Sequence, residues 1–249
     1  MIVIYPQPQT LVGINRRSTL AQGLIFCALP GLGYDAVSMT LAERHPYETA
    51  KSWSVGVGAK GKYHKVTGQP SIQVYQGARK ANFDAGDFTI VTMMDAADNT
   101  ATAYGGMLSK WDASDDTNPA NWCMGANSNG NLVVGAYYAG GDIYWAMNTP
   151  QPLGPRSNAQ YAVVGRGNAV DLYVDLIKNP VTKVRPAYVA GNKSAIRLSC
   201  YQEQYPAENF LCNYHLAAVW KRALSVDELA AVYQEPWQLF ARNKLALGQ

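Results

Sequence analysis

Stretches in which apolar and polar residues alternate run through most of the chain. Residues 171–177 and 195–201 each place every second residue on one apolar face and leave Tyr173 and Arg197 on the opposite face. A period of two is typical of a β-strand that buries one face. The same pattern, rich in β-branched and aromatic residues, predicts further strands at residues 88–94, 131–138, 161–164 and 216–220.

Turn-forming sequences separate these predicted strands. They are Asn129-Gly130, Gly140-Gly141, Arg166-Gly167-Asn168 and Gly191-Asn192. Because the strands follow one another without helices between them, the pattern favours an all-β antiparallel sandwich or jelly roll over a parallel sheet.

One helix is predicted, and it lies near the end of the chain. Ser225 can cap its first turn, and Glu228, three residues later, completes a capping box. Leu224 and Leu229 flank the cap as a hydrophobic staple, and Pro236 ends the helix. We therefore expect one short helix packed against the β core.

Composition excludes several classes of protein. Of the 249 residues, 48% are hydrophobic and 16% are charged, so the chain can build a core and is not intrinsically disordered. A net charge of +3 is too weak to indicate a nucleic-acid partner. The apolar stretch at residues 24–29 is too short for a membrane helix, and the first residues do not predict a secretory signal. The four cysteines are interpreted as reduced, with a Cys200–Cys212 bridge left open.

The first 22 residues differ from the rest of the chain. Pro6 and Pro8 fix extended backbone, and the glutamines beside them offer nothing to a core. We interpret residues 1–22 as an extended N-terminal arm, residues 23–240 as the folded domain and residues 241–249 as a C-terminal tail. The arm either docks on a partner or folds back to cover an edge strand of its own sandwich. For docking, the contact residues are Tyr5, Pro6, Pro8, Leu11, Val12, Ile14, Arg16 and Arg17.

Four stretches follow one another in a recognisable order. They read GLIF at 23–26, GDFTI at 86–90, DLYVD at 171–175 and AAVWKRALSVDEL at 217–229. Together they resemble the laminin-G-like, concanavalin A-like family, although Leu176 stands where the third stretch usually has glycine. The resemblance implies a concanavalin A-like antiparallel β-sandwich (jelly roll) with one short C-terminal helix.

Both ends of the chain carry a second resemblance. Residues 235–240 (EPWQLF), together with residues 7–15 and 20–24, are similar to the ends of laminin-G-like proteins encoded by tailed phages and prophages. This implies a phage virion structural protein, either a capsid decoration or cement protein or a tail-associated module, that docks through its arm and a sandwich face. Its partners would be the major capsid protein or tail and collar proteins, in homo-oligomeric or symmetry-related copies within the virion, without nucleic acid or membrane.

Residues suited to catalysis are not arranged for it. Glycan hydrolases of this fold use paired carboxylates on one strand, whereas the nearest candidates here, Glu203 and Glu208, flank a predicted loop. None of His45, His64 and His215 is spaced for a metal or for nucleophilic catalysis. We therefore expect no enzyme, and a glycan hydrolase is the third hypothesis.

One predicted loop offers oxygen ligands for calcium. Asp112, Asp115 and Asp116 could converge on a Ca²⁺ ion, but this composition is also the ordinary one for a turn. The sequence predicts no other metal and no cofactor.

Aromatic residues cluster around the Gly140-Gly141 turn. Sugar rings stack on such flat side chains, although strand alternation must direct half of them to the core. The four are the candidate glycan-stacking residues of the alternative hypothesis, a carbohydrate-binding adhesin module for host-surface recognition: Tyr137, Tyr138, Tyr144 and Trp145.

Overall fold

In a computed structural model, the chain forms two antiparallel sheets and, among the residues that the structure describes, one α-helix. The described residues are 13–29, 34–41, 43–44, 54–58, 61–65, 73–75, 86–96, 104–110, 122–127, 132–138, 141–146, 156–180, 195–198 and 212–240.

The predicted helix and the six predicted strands are all present, among seventeen described strands. The helix α1 is Val226–Gln234, and 3₁₀ turns lie at Thr19–Ala21 and Pro236–Leu239. The strands are β1 Leu24–Leu29, β2 Tyr34–Asp35, β3 Thr40–Leu41, β4 Glu43–Arg44, β5 Ser54–Gly58, β6 Gly61–Lys65, β7 Gln73–Tyr75, β8 Phe88–Ala96, β9 Tyr104–Lys110, β10 Trp122–Asn127, β11 Leu132–Tyr138, β12 Gly141–Ala146, β13 Arg156–Arg166, β14 Ala169–Val174, β15 Ile177–Pro180, β16 Ile196–Leu198 and β17 Cys212–Trp220.

The strands form a ten-stranded and a seven-stranded sheet. The larger sheet has the order β15-β14-β13-β8-β17-β1-β2-β3, with β6 beside β17 and β5 beside β6. The smaller sheet has the order β12-β11-β10-β9-β16-β7-β4. This arrangement confirms the expected antiparallel β-sandwich.

Apolar side chains from both sheets form the core between them. Phe26 on the larger sheet meets Tyr75 on the smaller one edge to face, with ring centroids 5.2 Å apart. Trp122, Met124 and Leu198 belong to the same buried cluster. Burial of this apolar surface is the main force that holds the two sheets together.

A second apolar cluster covers the outer face of the ten-stranded sheet. Leu229 and Val232 on α1 pack there with Leu20, Leu239 and Phe240 from the two ends of the described chain. We call residues 13–22 and 221–240 the terminal layer. The central strands β8, β13 and β17 of the larger sheet are therefore buried on both faces.

Local sequence signals predict α1 well. Ser225 accepts a hydrogen bond from the backbone N–H of Glu228, and the Glu228 carboxylate accepts one from the N–H of Ser225, as the capping box requires. Leu224 and Leu229 are both fully buried. The predicted helix is thus confirmed together with its cap.

Arg222 joins the helix to the N-terminal segment. Its Nε donates to the carbonyl of Gln22, its Nη2 donates to the carbonyl of Thr19, and its guanidinium pairs with Glu228 at 2.8 Å. The guanidinium of Arg222 holds the pKa of the Glu228 carboxyl below its ordinary value. Gly23, at φ 72°, lies beneath Arg222, where an added Cβ would come within 3.3 Å of the arginine side chain.

The predicted strand at 171–177 is wrong at its end. β14 stops at Val174, and Asp175 and Leu176 form a hairpin turn with φ values of 48° and 69°. The Asp175 carboxylate accepts a hydrogen bond from the N–H of Gln160, and Leu176 packs against the terminal layer. Those two contacts hold non-glycine residues in a conformation that favours glycine.

The predicted exposed faces of two strands are also wrong. Tyr173 and Arg197 are only 2% and 4% exposed. Tyr173 is buried because the terminal layer covers the outer face of the larger sheet. The predicted strand at 195–201 begins as β16, and residues 199–201 lie outside the described part of the chain.

Candidate functional site

The outer face of the seven-stranded sheet carries a continuous row of paired residues. Each member lies opposite the next on the neighbouring strand, so all members belong to the same face of the sheet. From edge to edge, the row is Tyr144, Gly135, Cys123, Ser109, Arg197, Val74 and Glu43.

The middle of this face is enclosed. Ser109 and Cys123 have no exposed surface, and Gly106 and Gly125 beside them are buried as well. Cys123 belongs to neither of the two apolar clusters of the sandwich. The side chains at these positions are small or absent, and glycine within a strand often marks a close approach of a ligand or of another backbone.

Arg197 is a buried cation on this face. It is 4% exposed, and its Nη1 donates a hydrogen bond to the carbonyl of Ala195 at 3.2 Å. A guanidinium stays protonated in proteins, so Arg197 brings a positive charge into the enclosed part of the face.

The β11–β12 hairpin forms one edge of the same sheet. Tyr137 lies opposite Asp142, and Tyr144 lies opposite Gly135. Trp145 lies opposite Val134, which belongs to the core cluster, and Tyr138 follows Val134 at a strand spacing of four. Positions 138 and 145 therefore belong to the core face, and positions 137, 142 and 144 belong to the outer face.

The register brings the three outer positions of the hairpin together. Tyr137 is directly opposite Asp142 and diagonal to Tyr144. In an antiparallel pair, the Cβ atoms of directly opposed residues are about 5 Å apart, and diagonal neighbours are about 7–8 Å apart. We call Tyr137, Asp142 and Tyr144 the hairpin platform. Sequence reasoning missed Asp142 as a site residue because only the pairing of β11 with β12 places it between the two tyrosines.

The predicted docking residues fall in two groups. Ile14 pairs with Phe240 and is half-buried in the terminal layer, while Arg16 and Arg17 are exposed in the turn that follows. Tyr5, Pro6, Pro8, Leu11 and Val12 lie outside the described residues. Docking through the arm therefore stays a prediction, with residues 13–22 packed on their own sandwich.

The calcium candidates cannot be placed on the fold. Asp112, Asp115 and Asp116 lie outside the described residues, and so do Glu203, Glu208 and His45. Within the described ranges, no three His, Cys, Asp or Glu side chains are grouped to hold a metal ion. The calcium hypothesis stays a prediction.

His215 has a structural environment. It is 7% exposed at a bulge of β17, and its Nε2 lies 3.1 Å from Oδ1 of Asp95 on the neighbouring strand β8. These contacts agree with its interpretation as a packed residue rather than a base.

Two cysteine side chains, Cys27 and Cys123, are buried. Cys27 and Cys123 form no disulfide. Burial, reinforced by the nearby Asp35 carboxylate, raises the pKa of the Cys27 thiol well above its ordinary value. Cys27 is therefore a packing residue rather than a nucleophile. Cys200 lies outside the described residues, so its pairing with Cys212 stays open.

No protein-family model and no curated protein matches the chain. Solved structures do resemble it. The binding domain of Paraclostridial Mosquitocidal Protein 1 superposes with a TM-score of 0.67 at 15% identity, over 88% of this chain and 53% of that chain. The receptor binding domain of botulinum neurotoxin D gives a TM-score of 0.59 at 10% identity, over 88% of this chain and 54% of that chain.

A third similar structure is covered almost over its whole length by this chain. The sialidase CBM40 of Ruminococcus gnavus, bound to α2,3 sialyllactose, superposes with a TM-score of 0.54 at 14% identity, over 69% of this chain and 96% of that chain. The chain spans only about half the length of the other two structures. At these identities the likeness shows the fold alone. Among the residues that the structure describes, no helix is long and apolar enough to cross a membrane.

Proposed function

We propose that the chain is a carbohydrate-binding module that recognises a surface glycan through the hairpin platform. The observation that carries this proposal is the register of β11 and β12, which places Tyr137, Asp142 and Tyr144 together on the outer face at the edge of the sheet.

This combination of residue types suits a sugar. Aromatic rings offer flat apolar faces, and a carboxylate accepts hydrogen bonds from hydroxyl groups. Gly135, which lies opposite Tyr144 in the register, carries no side chain. A binding site needs a few well-placed polar groups on a largely apolar surface, and the platform provides both.

The structural comparisons support binding over catalysis. Two of the similar structures are titled as binding domains, and the third is a CBM40 in complex with a sialylated sugar. This support concerns the kind of fold, so the glycan function needs its own test.

A glycan array with the full chain provides that test. We expect the wild type to bind a set of glycans, and Asp142→Asn to lose at least about tenfold in affinity for them, the loss of one charge-assisted hydrogen bond. Asp227→Asn is the matched control, since Asp227 is exposed on α1 in the terminal layer, on the other side of the sandwich. No binding to any glycan by the wild type would contradict the proposal.

The second candidate function is a component of a phage virion. The two stretches that resemble phage-encoded proteins meet in the fold, where Ile14 pairs with Phe240 and the N–H of Asn15 donates to the carbonyl of Leu239 at 2.8 Å. This observation supports a shared role for the two end motifs. The two functions are compatible, because a virion component can carry a glycan-binding face.

Purified particles test the virion hypothesis. Quantitative mass spectrometry of particles should find this chain in stoichiometric, symmetry-related copies, retained after washing in high salt. Its absence from particles produced by cells that express it would contradict the virion role and leave the glycan proposal unaffected.

A further inference from the structure

The three strands at one edge of the seven-stranded sheet contain a single charged residue, Asp142. Strands β10, β11 and β12 hold no lysine, arginine or histidine, and the sequence has none of these between Lys110 and Arg156. The chain as a whole, in contrast, carries a net charge of +3. This edge of the sheet therefore carries a negative charge in a protein that is positive overall.

The basic residues of the same sheet that come next in the strand order are on β9 and β16. Lys110 on β9 lies opposite Trp122, whose side chain belongs to the core between the sheets. Arg197 on β16 is four strand steps from β12, which at about 4.8 Å a step makes about 19 Å. Salt screens charges over about 10 Å. The strands of the sheet therefore place no basic residue beside Asp142 to balance its charge.

We infer that the glycan bound by the hairpin platform carries an ammonium group, an inference that rests on the proposed glycan binding. A carboxylate forms charge-assisted hydrogen bonds with an ammonium group, and the face of a tyrosine ring also attracts a cation. The register places Tyr137 directly opposite Asp142 and diagonal to Tyr144, so one anionic and two aromatic positions share this edge. A glycan with a carboxylate of its own would instead bring a like charge to Asp142.

The ammonium group can belong to an amino sugar with a free amine or to a choline substituent on a glycan. Both bring a positive charge that a carboxylate and an aromatic ring attract, so the residues define the charge and not the group that carries it. The test therefore includes one ligand of each kind, each paired with a neutral counterpart of similar shape.

The wild-type chain gives the first reading. Isothermal titration would compare a glucosamine oligosaccharide with its N-acetylated counterpart, and choline with its neutral tert-butyl analogue. At about pH 5.5 an ordinary aspartate is ionised and the sugar amine is protonated. We expect at least one ammonium ligand to bind about tenfold or more tightly than its neutral counterpart, and the difference to shrink at high salt. Equal binding within both pairs, or tighter binding of sialyllactose than of lactose, would overturn the inference.

The glycan array separates a failure of this inference from a failure of the proposed function. If the array shows binding to neutral or acidic glycans while neither ammonium ligand is preferred, the inference is wrong and glycan binding stands. If no glycan binds in the array or in the titration, the proposed function is contradicted, and this inference with it.

Substitutions of Asp142 assign the preference to the hairpin platform. Asp142→Asn removes the charge at nearly the same size and should bind both members of each pair equally, whereas Asp142→Glu should retain part of the preference. Asp227→Asn, an exposed change on α1, is the matched control and should keep all of it. Thermal melting would verify that the variants fold. If Asp142→Asn does not fold, Tyr144→Leu serves instead, since it removes one ring and should reduce the preference. A full preference in the platform variant would overturn the assignment.

Discussion

The indole N–H of Trp220 donates a hydrogen bond to the carbonyl oxygen of Leu20 at 2.7 Å. The contact joins the N-terminal segment to the last strand of the larger sheet. Leu20 itself is 4% exposed within the apolar cluster of the terminal layer. Residues 13–22 are therefore packed on the sandwich and hydrogen-bonded to it.

Replacing Leu20 tests this role. Leu20→Ala removes a buried side chain and should lower the free energy of unfolding by about 2–5 kcal/mol. Thr19→Ala, an exposed change in the same turn, should cost less than about 0.5 kcal/mol. Urea denaturation measures both values. Equal, small effects would mean that the segment contributes nothing to the stability of the sandwich.

The helix cap is a second test. Ser225→Ala removes the hydroxyl that accepts from the N–H of Glu228 at 3.1 Å, and should cost about 0.5–2 kcal/mol. Gln234→Ala, at the exposed last residue of α1, is the control and should be nearly neutral. If Ser225→Ala lowered the free energy of unfolding no more than Gln234→Ala does, the capping box would be contradicted.

The Arg222–Glu228 pair predicts a dependence of stability on pH. The pKa of Glu228 is lowered in the folded state, so its contribution is complete above the ordinary value of 4.5 and is lost as the pH falls further. Glu228→Gln should therefore destabilise at pH 7, by about 1 kcal/mol or less for so exposed a pair, and the difference from wild type should shrink below pH 4.5.

Glu235→Gln is the matched control for that series. Glu235 accepts from the amide of Gln238 rather than from an arginine. Chemical denaturation between pH 3 and pH 7 should show a smaller change for this variant. A Glu228→Gln difference that stayed constant over the whole range would contradict the prediction.

Two substitutions at Leu176 distinguish the effect of side-chain packing on stability from the effect of backbone strain. Leu176→Ala and Leu176→Gly both remove the side chain that packs on the terminal layer, but only glycine adopts φ 69° without cost. The glycine variant should be more stable than the alanine variant by about 1–2 kcal/mol. Thermal melting of the pair measures the difference, and an alanine variant as stable as the glycine variant would show that the turn relaxes.

Local signals made the helix and six of the seventeen described strands predictable. Ser225 and Glu228 are three residues apart, so the cap can be recognised without tertiary information. The hairpin turn at Leu176 was not predictable in this way, because leucine rarely adopts a positive φ and does so here only through distant packing.

Burial of the outer faces also depends on distant contacts. Alternation predicts one buried face, yet Tyr173 is buried on the second face because the terminal layer covers it. The candidate site also depends on contacts between residues that are distant in the sequence. Tyr137 and Tyr144 could be selected from the sequence by residue type. Their placement beside Asp142, and the row of residues that continues to Arg197, become visible only from the register of five strands.

The most direct test of the glycan-binding function is a titration of two double variants with the glycan that the wild type binds best. The Tyr137→Ala/Tyr144→Ala pair changes the outer face, and the Tyr138→Ala/Trp145→Ala pair changes the core face of the same hairpin. We predict that the outer pair loses about tenfold or more in affinity, from lost stacking, with an unchanged melting temperature. The core pair should melt earlier and, at a temperature where it is folded, keep its affinity. Unchanged affinity in the outer pair, or a loss confined to the core pair, would contradict glycan binding through the hairpin platform.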